Sequence, residues 1–135
     1  MDFSEDKAKW AIRLIQIAYQ KNEIRPHFRA GDRGQMQPTK TQNYLRSHGL
    51  TYRKVLSDAV QQLANSSMLR FRDPSPNYFL LNHEGYVFDF LVSLYDDEIY
   101  IKFSFFVRND KQFVVFESFH KTDKSDFSDF MDLRR

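Results

Sequence analysis

Three stretches of alternating residues decide the fold: Tyr-Val-Phe-Asp-Phe (86–90), Glu-Ile-Tyr-Ile-Lys-Phe (98–103) and Val-Val-Phe-Glu-Ser-Phe-His (114–120). Successive side chains of a β-strand point to opposite faces, so this spacing makes one face apolar. The apolar positions are Phe88, Phe90, Val92 and Leu94, followed by Ile99, Ile101, Phe103, Phe105 and Val107. Tyr100 and Lys102 fall on the opposite, polar face. Such a face suits nucleic-acid binding, catalysis or simple contact with water.

Short connections between these stretches predict an antiparallel meander. Residues 68–72 alternate in the same way, and the four further strands that we predict are 77–82, 86–95, 98–107 and 112–120. Their linkers are short enough for hairpins. A two-residue loop at Asn109-Asp110 sets His120 opposite Ile99, whereas a three-residue loop with a bulge, or a bulge elsewhere, pairs Tyr100 with His120.

The first half of the chain is predicted to be helical. One helix runs from Ser4, as N-cap, to Gln20, and a short one covers residues 39–48 before Gly49. A third begins after Thr51 and stops near residue 65. The fold class is therefore α+β, with N-terminal helices packed on one face of an antiparallel β-meander.

Two segments lie outside this pattern. Residues 21–38 contain two prolines and two glycines, which argue against a helix, and carry Arg25, Arg29 and Arg33 at four-residue steps. We predict a basic loop that is either a solvated linker or a binder of anions. Residues 121–135 are acidic and aromatic, and their spacing predicts a short amphipathic helix.

Composition limits the class of protein. The 135 residues suffice for one domain, and the absence of cysteine excludes disulfides and thiolate chemistry. No secretory signal or membrane span is evident, so we expect a cytoplasmic protein without membrane contact. Residues 1–72 carry 13 Lys and Arg against 6 Asp and Glu, and residues 73–135 carry 7 against 12. The basic half suits phosphates, unless the two halves simply pair with each other.

Metal and nucleotide chemistry are disfavoured. The histidines at 27, 48, 83 and 120 show no metal-ligand spacing, and Gly31 and Gly34 lack the context of a phosphate loop. We expect no metal and no cofactor.

The polar face of the predicted sheet brings together groups that can cleave RNA without metal: Tyr100, Lys102 and His120, with Arg70 or Arg72 from the preceding strand. Attack by the ribose 2′-hydroxyl needs a base, an acid for the leaving 5′-oxygen and cations for the oxyanion. His120 suits the acid or base, Arg72 and Lys102 suit cationic clamps for the phosphate, and Tyr100 suits an orienting donor or a proton carrier. The same side chains are also ordinary for a half-exposed sheet.

Four segments agree with a known family in order and spacing: Leu-Arg-Phe-Arg-Asp-Pro-Ser-Pro (69–76), Tyr-Val-Phe (86–88), Ile-Tyr-Ile-Lys-Phe (99–103) and Val-Val-Phe-Glu-Ser-Phe-His (114–120). They resemble the MqsR family of bacterial toxins, mRNA-cleaving enzymes of the RelE-like superfamily that are partnered by antitoxins. The resemblance implies a single domain with a toxin-like core at residues 39–120, an extension at 1–38 and a tail at 121–135. It also implies a RelE-like architecture, mRNA as substrate and an antitoxin as partner.

By this resemblance Arg72 takes the place of the family's catalytic lysine and Tyr100 that of its tyrosine. Lys102 and His120 match the Tyr-x-Lys pair and the end of the last strand. Arg25, Arg29, Arg33 and Arg70 are the predicted RNA-binding residues. The chain departs from the family at Arg72, which cannot act as a base, at Asp89, where glycine is frequent, and in its long extension.

Two other functions remain open. One is a non-enzymatic protein-binding or inhibitor module, which would use the aromatic sheet and tail, because fourteen phenylalanines exceed the usual need of a core. The other is an RNA-binding domain that has lost catalysis.

Overall fold

Three helices and seven strands make up the part of the chain that the computed structural model describes, residues 3–28, 37–72, 75–76, 85–122 and 129–134. The helices are α1 Phe3–Gln20, α2 Lys40–Ser47 and α3 Tyr52–Asn65. The strands are β1 Ile24–Pro26, β2 Met68–Phe71, β3 Ser75–Pro76, β4 Gly85–Leu94, β5 Asp97–Arg108, β6 Lys111–Lys121 and β7 Met131–Arg134.

One sheet holds all of these strands. Its order is β1-β6-β5-β4-β2-β7, and β3 pairs with the beginning of β4. Strand β1 runs parallel to β6, and every other described pair is antiparallel. The predicted α+β class and the antiparallel meander, which is β4-β5-β6, are therefore confirmed. Predicted strand 77–82 lies outside the described residues.

Two tight turns set the register of the meander. Tyr95 and Asp96 join β4 to β5 with φ of 57° and 63°, and Asn109 and Asp110 join β5 to β6 with φ of 53° and 60°. Positive φ at both central residues characterises the two-residue hairpin turn whose twist matches that of the strands. Asn and Asp tolerate this conformation well, so three of the four positions suit it.

The core lies between the three helices and the apolar face of the sheet. Its aromatic rings contact one another: the ring centres of Phe103 and Phe116 lie 4.9 Å apart in a stacked pair, and Phe116 packs edge to face on Phe119. Fully buried side chains come from every layer, namely Ile15, Val55, Leu63, Phe71, Phe88, Phe90, Phe103, Phe116, Phe119 and Leu133. The first helix and the sheet share this single cluster.

Helix ends follow the sequence closely. Thr39 and Gln42 form a capping box at the start of α2, and Thr51 caps α3. Gly49, with φ of 63°, follows α2 as expected for a left-handed residue. The predicted start of the first helix is wrong by a residue or two, because α1 begins at Phe3 and Ser4 lies inside it.

The predicted loop 21–38 is wrong in part, because Ile24–Pro26 forms the parallel edge strand β1. Pro26 disfavours a central strand since it lacks an N–H group, but it is tolerated at the edge and end of a strand. Ile24 packs against the core, which holds the segment in place. Residues 29–36, with Arg29 and Arg33, lie outside the described part.

The predicted tail helix is also corrected. Lys121 still belongs to β6, and residues 131–134 form β7 beside β2. Alternation places Leu133 in the core, fully buried, and Met131 against it. A short exposed helix is only marginally stable in water. As a strand, the segment instead forms backbone hydrogen bonds with the open edge of β2. Residues 123–128 lie outside the described part.

Within the described segments no helix combines the length and the apolar character that crossing a bilayer requires.

A buried threonine connects α2 to the end of β6. The Thr41 side-chain oxygen accepts a hydrogen bond of 2.9 Å from the backbone N–H of Phe119, and Thr41 is 2% exposed. This section of β6 has no strand partner on that side within the described register, since β1 pairs only with residues 114–116. The hydroxyl therefore satisfies a strand amide that is shielded from water.

We expect Thr41→Val to lower the free energy of unfolding by about 1–3 kcal/mol, because the Phe119 N–H is then buried without an acceptor. Thr41→Ser keeps the oxygen and loses one methyl group, which costs about 1 kcal/mol or less. Urea denaturation of both variants measures the difference. Equal or greater stability of the valine variant relative to the serine variant would contradict the role given to this hydroxyl.

Candidate functional site

The candidate site lies on the face of the sheet that points away from the helices, called the outer face. Its side chains alternate with those of the core along β4, β5 and β6. The register sets Leu91 beside Tyr100 and Tyr100 beside His120, and it sets Asp89 beside Lys102 and Lys102 beside Ser118. Because paired residues on adjacent strands point to the same side, all six belong to the outer face.

A β-bulge in β6 is responsible for this arrangement. From the turn inward, Arg108 pairs with Lys111 and Phe103 with Phe116, but Lys102 then pairs with Ser118. Glu117 is the additional residue. A two-residue turn is thus combined with a bulge inside the strand, and this combination brings Tyr100 and His120 together.

The side chain of Glu117 is tied to the neighbouring edge of the sheet. His27 Nδ1 lies 3.2 Å from Glu117 Oε2, just after strand β1. The backbone N–H of His27 also donates to the carbonyl of Phe116 at 2.9 Å. The two contacts hold Glu117 and the residue before it, Phe116.

Asp89 is the centre of the polar network on the outer face. It is 5% exposed, and its Oδ1 accepts a 2.9 Å hydrogen bond from the Tyr100 hydroxyl. Its Oδ2 accepts from Nη2 of Arg72. A backbone hydrogen bond of 3.1 Å from Arg72 N to Asp89 O aligns the two residues. A buried carboxylate needs such partners, because an unpaired charge away from water is very costly.

Both partners of Asp89 have shifted pKa values. Burial raises the pKa of Tyr100 first, and the charge and hydrogen bond of Asp89 raise it further, against a smaller lowering by Arg72. For Arg72, burial acts to lower the pKa, but the hydrogen bond and charge of Asp89, with help from Asp129, outweigh it and the pKa is raised. Near neutral pH Tyr100 is a neutral donor and Arg72 a fixed cation.

Arg72 has further contacts on its other side. Its Nη1 donates to Asp129 Oδ2 at 3.2 Å, and its Cζ lies 5.0 Å from the ring centre of Phe130. Asp129 is largely exposed, so this second ion pair is weaker than the one with Asp89. A phosphate that displaced Asp129 would gain the same guanidinium edge.

His120 lies at the end of β6, next to Tyr100. The two rings are 5.5 Å apart at an angle of 45°. His120 Nδ1 lies 2.8 Å from the carbonyl oxygen of Lys121. A carbonyl only accepts, so Nδ1 carries the proton in this contact and Nε2 is the basic atom of the neutral ring.

The structure therefore brings together Arg72, Tyr100, Lys102 and His120 on one face, as the sequence predicted. Arg70 lies on the same face, two residues before Arg72, but its Nη2 donates to Glu98. Arg25 lies at the opposite edge of the sheet on β1. A cavity of about 350 Å³ beside Arg70 is lined by the carboxylates of Asp96, Asp97, Glu98 and Asp132, which do not attract phosphate.

Sequence reasoning missed the role of Asp89 and treated it only as a departure from a family pattern. Its position in the alternating run Phe-Asp-Phe, combined with the tight turn after Leu94, already sets it opposite Lys102. The contact with Asp129 had no such signal, because it depends on the strand pairing of β7. Among the described residues no group of three or more His, Asp or Glu side chains is arranged so that it could hold a metal ion.

Comparison with known proteins gives no match: no family model, no curated protein and no solved structure is similar to this chain.

We expect the stability of the protein to fall as the pH rises above about 10, the ordinary pKa of tyrosine. Because its pKa is raised, Tyr100 keeps its proton in the folded state at pH values where the tyrosine of the unfolded chain has lost it. Each further rise in pH therefore favours unfolding. Tyr44, whose pKa is raised to about 12 by burial and Asp97, contributes in the same direction.

Tyr100→Phe should therefore reduce this alkaline slope by up to about 1.4 kcal/mol per pH unit. Urea unfolding at a series of alkaline pH values measures it, with Tyr86→Phe at an exposed position as the matched control. An unchanged slope in the Tyr100 variant would contradict the Asp89–Tyr100 contact.

Proposed function

We propose that the chain is a metal-independent endoribonuclease of the MqsR-like toxin type, which cleaves single-stranded mRNA and is held inactive by an antitoxin. The observation that carries the proposal is the shared outer-face position of Arg72, Tyr100, Lys102 and His120. Four sequence segments resemble that family, which supports the same function. The proposal includes a RelE-like architecture and a cytoplasmic location. Each feature is compatible with the α+β sheet.

The chemistry follows from the groups on this face. His120 Nε2 takes the proton of a ribose 2′-hydroxyl, whose oxygen then forms a bond to the adjacent phosphorus. The bond from phosphorus to the 5′-oxygen breaks, and the Lys102 ammonium group gives that oxygen a proton. The products are a 2′,3′-cyclic phosphate and a 5′-hydroxyl end, so no metal or water is needed in this step.

Two residues stabilise and orient the phosphate. Arg72 supplies a fixed guanidinium whose Nη1 exchanges Asp129 for a phosphate oxygen. Tyr100 remains protonated and presents its ring beside His120 while its hydroxyl stays on Asp89. Asp89 is thus a positioning residue, since it fixes Arg72 and Tyr100 together and is itself nearly inaccessible.

Replacement of lysine by arginine at position 72 agrees with this division of roles. Arginine cannot act as a base, but it binds phosphate in a fork geometry. A mechanism that takes its base from His120 places no such demand on position 72. The departure from the family pattern therefore changes the proton acceptor rather than removing the activity.

The rival function, a protein-binding module, depends on exposed apolar surface. Most of the described phenylalanines are in the core instead, namely Phe28, Phe71, Phe88, Phe90, Phe103, Phe105, Phe116 and Phe119. Its remaining support among the described residues is a set of exposed large apolar side chains: Trp10, Ile17, Tyr19, Tyr86 and Val107. The rings of Trp10 and Tyr86 lie on the helix side of the sheet, beside Phe105, so they suit a contact with an antitoxin and not the catalytic site.

We expect wild-type protein to cut a mixed-sequence RNA at discrete positions in the presence of EDTA under single-turnover conditions. His120→Gln should slow cutting by about 10²- to 10⁴-fold, the usual contribution of general acid–base catalysis. Tyr100→Phe and Asp89→Asn should each slow it by about tenfold or more, since each loses a hydrogen bond that orients the site.

Tyr86→Phe is the matched control, because Tyr86 pairs with Phe105 on the helix side of the sheet and is 52% exposed. Equal cutting by all variants would mean a contaminating nuclease or another site. No cutting by wild type, with or without ribosomes, would favour the protein-binding module or an RNA-binding domain without catalysis.

A further inference from the structure

An aromatic pair lies on the outer face close to the turn between β5 and β6. Phe106 and Phe113 are directly paired across these strands, with ring centres 5.1 Å apart and planes within 13° of parallel. Both rings are half-buried, unlike the core phenylalanines. No part of the reaction proposed above uses them.

Two exposed cations lie over one of these rings. Arg25 Cζ is 5.2 Å from the centre of Phe113, and Lys111 Nζ is 5.6 Å from it. Arg25 comes from the edge strand β1, whereas Lys111 comes from the beginning of β6. An aromatic ring is thus flanked by positive charge on two strands.

We infer that Phe113, Arg25 and Lys111 form a subsite for one unpaired nucleotide of single-stranded RNA, with the base on the ring and the adjacent phosphates on the two cations. Contacts of exposed cations with a ring are weak, while stacking of a base on an aromatic side chain is stronger. Both cations are on flexible side chains that exchange the ring for a phosphate. On binding, a base stacked on Phe113 replaces the weak cation–ring contacts, and the two cations contact phosphates instead.

The position of the subsite fits a strand that continues to the reacting groups. Phe113 and His120 lie on the same strand and the same face, about 20 Å apart at the usual rise per residue. Lys102 lies between them on β5. An aromatic stacking position flanked by cations is a usual feature of surfaces that bind single strands irrespective of sequence.

This subsite deepens the proposed function and rests on it for the identity of the strand. Its test is therefore a binding measurement that needs no cleavage: fluorescence anisotropy with a labelled 2′-O-methyl oligouridine, which lacks the attacking hydroxyl. Phe113→Leu keeps an apolar side chain at the position and removes the ring, so folding is preserved better than with alanine. It should weaken binding about tenfold, as expected for the loss of one stacked base.

Tyr86→Leu is the matched control, since it removes an exposed ring from the helix side and should leave binding unchanged. The double variant Arg25→Gln, Lys111→Gln should lower the slope of log affinity against log salt by about 1.4, because each phosphate contact on a single strand contributes about 0.7. Arg13→Gln, Arg53→Gln removes the same charge from exposed positions on α1 and α3 and should leave the slope unchanged.

Wild-type affinity in Phe113→Leu, or an unaltered slope in the Arg25 and Lys111 variant, would overturn the subsite. So would displacement of the oligonucleotide by polyglutamate at equal charge concentration, which would indicate an acidic protein as the ligand. Ring-dependent binding without any RNA cleavage by the wild type would uphold the subsite and refute the nuclease. Cleavage with ring-independent binding would do the reverse.

Discussion

The extra residue in strand β6, Glu117, is the constraint on which the rest of the structure depends. Alternation in an unbroken strand would put Phe116, Ser118 and His120 on one face. With the bulge, Phe116 and Phe119 both enter the core, while Ser118 and His120 point outward. The stack of Phe103 on Phe116 and the outer-face pair of Tyr100 and His120 exist in one sheet only because the register shifts between them.

The polar side chains of the outer face are held in place by hydrogen bonds and ion pairs to Asp89. Asp89 is buried, and it is stabilised by Arg72 and by the Tyr100 hydroxyl. The same contacts restrict Arg72 and Tyr100 to one arrangement, so the site is set before any ligand arrives. The exposed Asp129 forms a second ion pair with Arg72. An incoming phosphate would replace Asp129 by another anion while Asp89 remains paired with the guanidinium.

Much of this fold was predictable from local patterns. Period-two alternation identified β4, β5 and β6 to within one or two residues, and Gly49 and Thr51 identified the end of α2 and the start of α3. These elements are fixed by side-chain periodicity and by capping hydrogen bonds, which are both local. Arg72, Tyr100 and Lys102 fell on one face for the same reason, whereas His120 joined them through the bulge.

What escaped prediction depends on contacts between distant segments. Pro26 ends a strand because β6 offers a parallel edge, and Leu133 enters the core because β2 has an open edge. Neither edge is visible in the local sequence. The bulge at Glu117 has no characteristic residue type, and only its contact with His27 marks it. Asp89 was overlooked because its importance comes from its neighbours rather than from its own position.

The most direct measurement of whether the outer face cleaves RNA is an analysis of the product ends. A metal-free reaction would compare one RNA oligonucleotide with the same oligonucleotide carrying a single 2′-deoxy nucleotide before the cut bond, and mass spectrometry would identify the termini. Attack by the 2′-hydroxyl predicts a 2′,3′-cyclic phosphate, a 5′-hydroxyl and no cut at the deoxy position. Cutting at the deoxy position, a 5′-phosphate terminus or an uncut parent RNA would contradict it.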